Sequence, residues 1–295
     1  MRKVWQIGLI LIGILIGLSL SIVFALHSSL PSAQVPIPIS NPMPQTIQYE
    51  SRLLPHSVVY IVKIPLQNQF EVRPVLSDTT ETIKQFAQRE GAISAINGGY
   101  FDPQNQRSTS YLVLKGQVVA DPQENDRLME NPTLKLYLDR ILNRSEFRHY
   151  QCEQTSRYKF ARHHDPIPTG CQLESSLGGG PRLLPKLTDE EEAFTDSKNG
   201  RDPIGIHQRN ARSAIGLTDT TIIWIMVAQT KPADGMSLTE LADLMKSLGV
   251  KTAMNLDGGS SAALYYQGKT VNGKVDETGD RVQRSIKSVL IVKQK

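Results

Sequence analysis

"MNLDGGSSAALYYQG", residues 254–268, sets the problem. An apolar, strand-like run over 250–256 stops at Asp257-Gly258-Gly259-Ser260-Ser261, and a second apolar run, 262–266, begins at once. Two readings stand side by side. Asp-Gly is a favoured type I′ turn, so the stretch can be a tight hairpin. It can equally be a pocket floor, where glycines admit backbone close to a ligand and turn N–H groups form a concave anion site. Asp257 would then supply a base or nucleophile.

Working outward, the same order of features occurs twice. Residues 58–64 and 70–76 read as strands, separated by a polar turn. Asp78-Thr79-Thr80-Glu81 predicts a capping box opening a helix that stops at Gly91. Residues 92–97 then form a buried strand ending in Asn97-Gly98-Gly99. Later, 212–217 and 221–228 read as strands, Ser237-Leu238-Thr239-Glu240 as a second capping box, and 250–256 as the strand before Asp257-Gly258-Gly259. The pattern predicts two similar strand–strand–helix–strand halves that bring Asn97 and Asp257 to one cleft; chance recurrence of a common unit is the alternative. Strands are also expected over 112–119, 134–138 and 285–293. The fold class is α/β (α+β): a mixed, largely antiparallel sheet with few helices.

The 295 residues do not all belong to that fold. Arg2 and Lys3 precede an apolar run over 4–26 of bilayer-spanning length. With its positive flank this predicts a signal peptide or an N-terminal membrane anchor over 1–26, and export of the rest of the chain. Residues 27–50, rich in Pro and Ser, read as a tether, and 51–295 as one catalytic-sized domain. In an exported chain the two cysteines, Cys152 and Cys171, are a disulfide candidate. The net charge of +4 is scattered rather than striped, which argues against a nucleic-acid surface.

Asn97-Gly98-Gly99-Tyr100-Phe101-Asp102 repeats the ingredients of the 254–268 stretch: an amide, two glycines, a carboxylate, and aromatics suited to sugar faces. Taken alone, it is equally a turn. Arg209, Arg212 and Arg284 stand at strand ends, where a guanidinium can reach a phosphate bidentately; singly, each reads as a solvated charge. Leu177-Gly178-Gly179-Gly180-Pro181-Arg182 lacks the Lys-Ser/Thr ending of a phosphate loop and reads as a backbone-packed loop near the cleft. His163-His164-Asp165 has no companion ligand pattern, so no metal site is assigned. No cofactor is expected, and a metal requirement is left open.

Together, "NGGYFD" (97–102), "GGGPRLL" (178–184), "RSAIGL" (212–217), "NLDGGSSAALYYQG" (255–268) and "RSIKSVLIV" (284–292) resemble, in this order, the phosphodiester glycosidase family. The resemblance spans about 55 to 293. It departs in having two glycines after Asp257 where many members have three, and Ala262 where they have threonine; 139–200 matches little. It implies hydrolysis of a sugar-1-phosphodiester, on a glycoconjugate of the cell envelope or an exopolysaccharide. Asp257 is the first choice for catalytic carboxylate and Asp102 the second. Arg212 and Arg284 would stabilise the phosphate, Asn97 would hold sugar hydroxyls, and Gly98, Gly99, Gly258, Gly259, Ser260 and Ser261 would line the binding turn. The rival readings are a non-catalytic module that binds phosphate-linked glycopolymers, and a structural envelope protein.

Overall fold

The computed structural model describes residues 45–66 and 69–295. The predicted anchor or signal and most of the tether lie outside the described residues. No helix among the described residues is long and apolar enough to cross a membrane.

Among the described residues sixteen strands form three sheets, and every pairing between them is antiparallel. The first sheet runs β1 (Gln48–Leu54), β2 (Ser57–Pro65), β12 (Thr221–Ala228), β11 (Arg212–Leu217), β13 (Thr252–Asn255), β10 (Arg182–Leu184). The second runs β15 (Lys269–Asn272), β14 (Ala263–Tyr266), β4 (Ser94–Asn97), β16 (Ile286–Gln294), β3 (Phe70–Glu81). The third runs β6 (Gln117–Ala120), β5 (Leu112–Leu114), β9 (Cys171–Gly178), β7 (Ser145–Cys152), β8 (Thr155–Arg162).

Strand chemistry explains this layering. In β12 every residue is buried, but successive side chains enter different cores, as the two-residue period of a strand requires. Ile222, Trp224, Met226 and Ala228 join a central core with Leu290 and Val292 of β16 and with Leu112, Phe147 and Leu177 of the third sheet. Ile223, Ile225 and Val227 face the opposite way, onto Leu238, Leu241 and Met245 of a helix. In β16, Val289 and Ile291 likewise turn from the central core toward Ile83, Phe86 and Ala87 of another helix. Two central sheets, each covered by a helix on its outer face, require continuous apolar strands rather than alternating ones.

Among the described residues the four α-helices are short: α1 (Ile83–Glu90), α2 (Asp126–Met129), α3 (Leu138–Leu142) and α4 (Leu238–Ser247). The capping box predicted at Ser237 is present, with the Ser237 hydroxyl accepting from Glu240 N–H and the Glu240 carboxylate accepting from Ser237 N–H. The one predicted at Asp78–Glu81 is displaced. Those residues extend β3, and α1 is capped instead by Thr82 with Gln85, ending at Gly91 as expected. Register with β16, whose Ile286 pairs with Glu81, keeps the segment extended. Of residues 134–138, expected as a strand, Leu134 lies in a turn and 135–138 are helical, a 3₁₀ turn (Lys135–Tyr137) running into α3. Residues 112–119 divide into β5 and β6, turned at Lys115 and Gly116, both with positive φ.

The repeated order of features has a structural counterpart in the two central sheets. β3 and β4 flank β16 in the second sheet, and β12 and β13 flank β11 in the first. Each pair is joined through a helix, α1 or α4, so each sheet contains a β-α-β unit with one antiparallel strand inserted. β11 and β12 do form a hairpin. β2 and β3 do not: they belong to different sheets.

Candidate functional site

The tips of β4 and β13 meet. Asn97 Nδ2 donates to the Asp257 carbonyl at 2.7 Å, and Asp257 N–H donates to the Gly98 carbonyl at 3.1 Å. β13 and β14 lie in different sheets, so 257–261 is a crossover and not a hairpin. Gly258 is extended, Gly259 takes a left-handed φ of +58°, and Gly259–Ser261 form a 3₁₀ turn. The real hairpin turn in this stretch is Gln267-Gly268, both at positive φ, between β14 and β15.

The crossover floors a cavity of about 350 Å³. Asp257, Gly258, Gly259 and Ser260 form one side, with Tyr100, Asn255 and Arg212 behind them. The loop over 202–210 closes the other side through Asp202, Gln208 and Asn210. Asp257 is the half-buried acid of this cavity, whereas Asp202 opposite it is exposed. Burial pushes its carboxyl pKa up to about 6, against the opposing pull of the neighbouring Ser261 hydroxyl, the Arg284 guanidinium and the Gly258 N–H. Gly258 N–H donates to Asp257 Oδ1 at 2.9 Å and pins the side chain. The Ser261 hydroxyl is buried beside the carboxyl but off hydrogen-bonding geometry. Arg284 Nη1 donates to Ser260 Oγ at 2.8 Å, and its guanidinium carbon lies 5.1 Å from the centre of the Phe101 ring.

Other expected site residues serve the scaffold. Arg212 is 2 % exposed. Its guanidinium donates to the carbonyls of Met236, Ile204, Gly205 and Gln208 at 3.0, 2.9, 2.5 and 2.8 Å. Four of its five N–H groups are thus committed to shaping the cavity wall, which leaves little of its fork for a phosphate. Asn97, also buried, accepts from Ser213 Oγ at 2.6 Å and from Ala263 N–H at 3.1 Å while donating to Asp257. It ties both central sheets to the crossover, and with Nδ2 also 3.5 Å from the Gly98 carbonyl it has little left for a sugar hydroxyl. Asp102 does not line the cavity. Its carboxylate accepts from Arg127 Nε at 2.7 Å and from Gln104 N–H at 2.8 Å. Partial burial pushes that carboxyl up, but these partners outweigh it and hold the pKa below the ordinary range.

The glycines divide similarly. A Cβ on Gly99 would collide with the Gly178 carbonyl oxygen, and one on Gly98 would stand 2.9 Å from the Ser288 backbone. Their role is close backbone approach rather than ligand contact. The amides of Gly258 and Gly259 are likewise committed, to Asp257 Oδ1 and the Ala211 carbonyl, so these two do not form the expected anion cradle. The 178–180 loop is backbone-packed against the site: Gly180 O accepts from Tyr100 Oη at 2.7 Å and from Asn255 Nδ2 at 3.2 Å. Burial, then the charge of Asp257, push the Tyr100 phenol well above its usual range, so it stays a donor.

Cys152 and Cys171 are disulfide-bonded, joining the end of β7 to the start of β9. His163 hydrogen-bonds Glu146 at 2.6 Å and stacks on Tyr111. Among the described residues no group of three or more His, Cys, Asp or Glu side chains could hold a metal ion. Asp202, Gln208 and Asn210 are cavity residues that sequence reasoning missed. They lie in a loop with no strand or helix period, and only the proximity of Asn210 to Arg212 pointed toward them.

No curated protein matches this chain by sequence. Among solved structures, the chain is similar to the catalytic domain of zebrafish N-acetylglucosamine-1-phosphodiester alpha-N-acetylglucosaminidase, auto-inhibited by its pro-peptide. The TM-score is 0.63 at 18% identity, over 88% of this chain and 85% of that one. A hypothetical protein from Synechocystis gives a TM-score of 0.57 at 16% identity, over 84% of this chain and 62% of that one. At such identities these likenesses speak for the fold. The phosphodiester glycosidase family model matches residues 90–293, which include both strand tips, the crossover and Arg284. The chain belongs to the phosphodiester glycosidase family.

Proposed function

We propose that this chain hydrolyses a sugar-1-phosphodiester outside the cytoplasm, on a glycoconjugate of the cell envelope or an exopolysaccharide, with Asp257 as general base. The observation that carries the reading is a half-buried carboxyl, Asp257, poised near pH 6, in a cavity lined by Ser260, whose hydroxyl Arg284 engages. A base works best with a pKa near the working pH. Asp257 takes the proton of a water as its oxygen bonds to the anomeric carbon. The bond from that carbon to the bridging phosphate oxygen breaks, and its electron pair leaves with the phosphate. Sugar and phosphomonoester result. The leaving group is already anionic and needs charge stabilisation more than a proton, which Arg284 supplies across Ser260. Export is supported by the apolar run over 4–26 with its basic flank and by the disulfide. The family and the name of the zebrafish neighbour support the substrate class.

The test is a screen of the full chain against p-nitrophenyl and UDP-linked sugars, beside Asp257→Asn. Turnover should fall by roughly 10²–10⁴-fold, the range for loss of a general base, with substrate binding retained. A wild-type chain that binds phosphate-linked glycopolymers tightly but turns over no sugar phosphodiester would instead be a binding module. If Asp257→Asn changes neither binding nor turnover, the catalytic assignment is wrong.

A further inference from the structure

The cavity does not end at the 202–210 loop. Beyond Asp202 and Pro203, which line both, lies a second, more open depression of about 540 Å³. It is walled by Thr133, Leu136, Tyr137, Asn199 and Arg201. Both volumes fall in the range of about 300–1,000 Å³ typical of small-molecule sites.

Arg201 is held there in an unusual way. Its Nε donates to the Ala193 carbonyl at 3.0 Å, and its guanidinium carbon lies 4.8 Å from the centre of the Tyr137 ring. That ring is buried, tied by its hydroxyl to Asp196 at 3.0 Å, and flanked also by Arg140 at 5.2 Å. Among the described residues, no hydrogen bond or ion pair engages the two terminal nitrogens of Arg201. A guanidinium fixed at Nε and by stacking presents a fork that loses little freedom on closing around a carboxylate or phosphate. Beside it Leu136 is 74 % exposed and Pro203 is also exposed. An apolar surface next to a prepared cation suits a sugar ring bearing an anionic substituent.

We propose that this depression is the aglycone subsite, and that the group esterified on the far side of the phosphate is a sugar unit carrying its own negative charge, read by Arg201. The proposal rests on the function assigned above. Asp202 and Pro203 line both depressions, so the two adjoin: the glycosyl group sits over Asp257, the charged aglycone beyond Pro203, and the phosphate between them. Arg201 acts here on specificity and takes no part in bond cleavage.

The test compares phosphodiesters of one glycosyl group, chosen by the activity screen, with four aglycones: methanol, glucose, glucose 6-phosphate and glucuronic acid. Charged aglycones should lower KM about tenfold against the neutral ones, the size of one charge-assisted pair; the last two aglycones distinguish phosphate from carboxylate. Arg201→Gln should remove that advantage while leaving kcat and the methyl ester kinetics unchanged. Equal KM values for all four, or an Arg201→Gln loss shared by the methyl ester, would overturn the subsite. A separate titration of the wild-type chain with glucose 6-phosphate, glucuronate and glucose reads binding without turnover. If the two anions bind at least tenfold more tightly than glucose and Arg201→Gln abolishes the difference, the subsite stands even should hydrolysis fail. If they bind no better than glucose, it falls even where hydrolysis holds.

Discussion

Asp257 is ionised against the resistance of its surroundings, and that resistance has a measurable cost. Its folded-state pKa of about 6 lies above the ordinary 3.8. Between those values the folded chain binds more protons than the unfolded one, so this group's contribution to stability is complete below pH 3.8 and lost as pH rises through about 6. At about 1.4 kcal/mol per pKa unit, up to about 3 kcal/mol of stability is forgone at neutral pH. Asp257→Asn should therefore raise the melting temperature at about pH 7.5 and give no gain at about pH 4, a difference that calorimetry at the two pH values checks. The same shift sets the rate. A base must be deprotonated, so kcat/KM should fall as pH drops through about 6. Arg284 holds that pKa down, so Arg284→Ala should move the acid limb of the profile upward as well as lower kcat, whereas a merely structural loss would leave the limb in place.

At the scale of the element, the site depends on how closely strand tips and loops approach. Gly99 shows this most sharply, since a methyl group there would collide with the Gly178 backbone carbonyl, which no rotamer change relieves. Gly99→Ala should unfold the tip of β4 from the 178–180 loop and cost several kcal/mol, on the order of the more severe core substitutions. Denaturant titration would measure it. A loss below about 1 kcal/mol would mean the loop shifts freely. Arg212 works at this scale too. Its four carbonyl acceptors hold the 202–208 segment in the shape of a cavity wall.

At the scale of the whole molecule, three antiparallel sheets share one central core, and the disulfide acts within the third of them. Cys152 and Cys171 are 19 residues apart and clamp β7 to β9, away from the cavity. A loop of that length corresponds to about 3 kcal/mol in the chain-entropy model. Reduction, or replacement of both cysteines by serine, should lower stability by about that amount while leaving kcat and KM of the folded enzyme unchanged.

How much of this was legible in the chain depends on the range of the forces involved. Ser237–Glu240 reads as a cap because the bonds it makes span three residues, and 221–228 reads as a buried strand because branched apolar residues carry that signal locally. The family pattern, too, was carried by short motifs in order, with Asp257 among them. Thr82 displaced Asp78 as a helix start because pairing with β16, some two hundred residues away, outweighed local preference. Tertiary structure alone decided that β2 and β3 part into different sheets, and that Asn97 and Arg212 spend their polar groups on the scaffold. It also decided that Asp102 turns to Arg127 and that Asp202 and Arg201 line adjoining depressions. In each case the deciding partner is a backbone carbonyl, a sheet neighbour or a charge brought close only by folding, and the spacing of residues along the chain does not record which donors the finished fold leaves free.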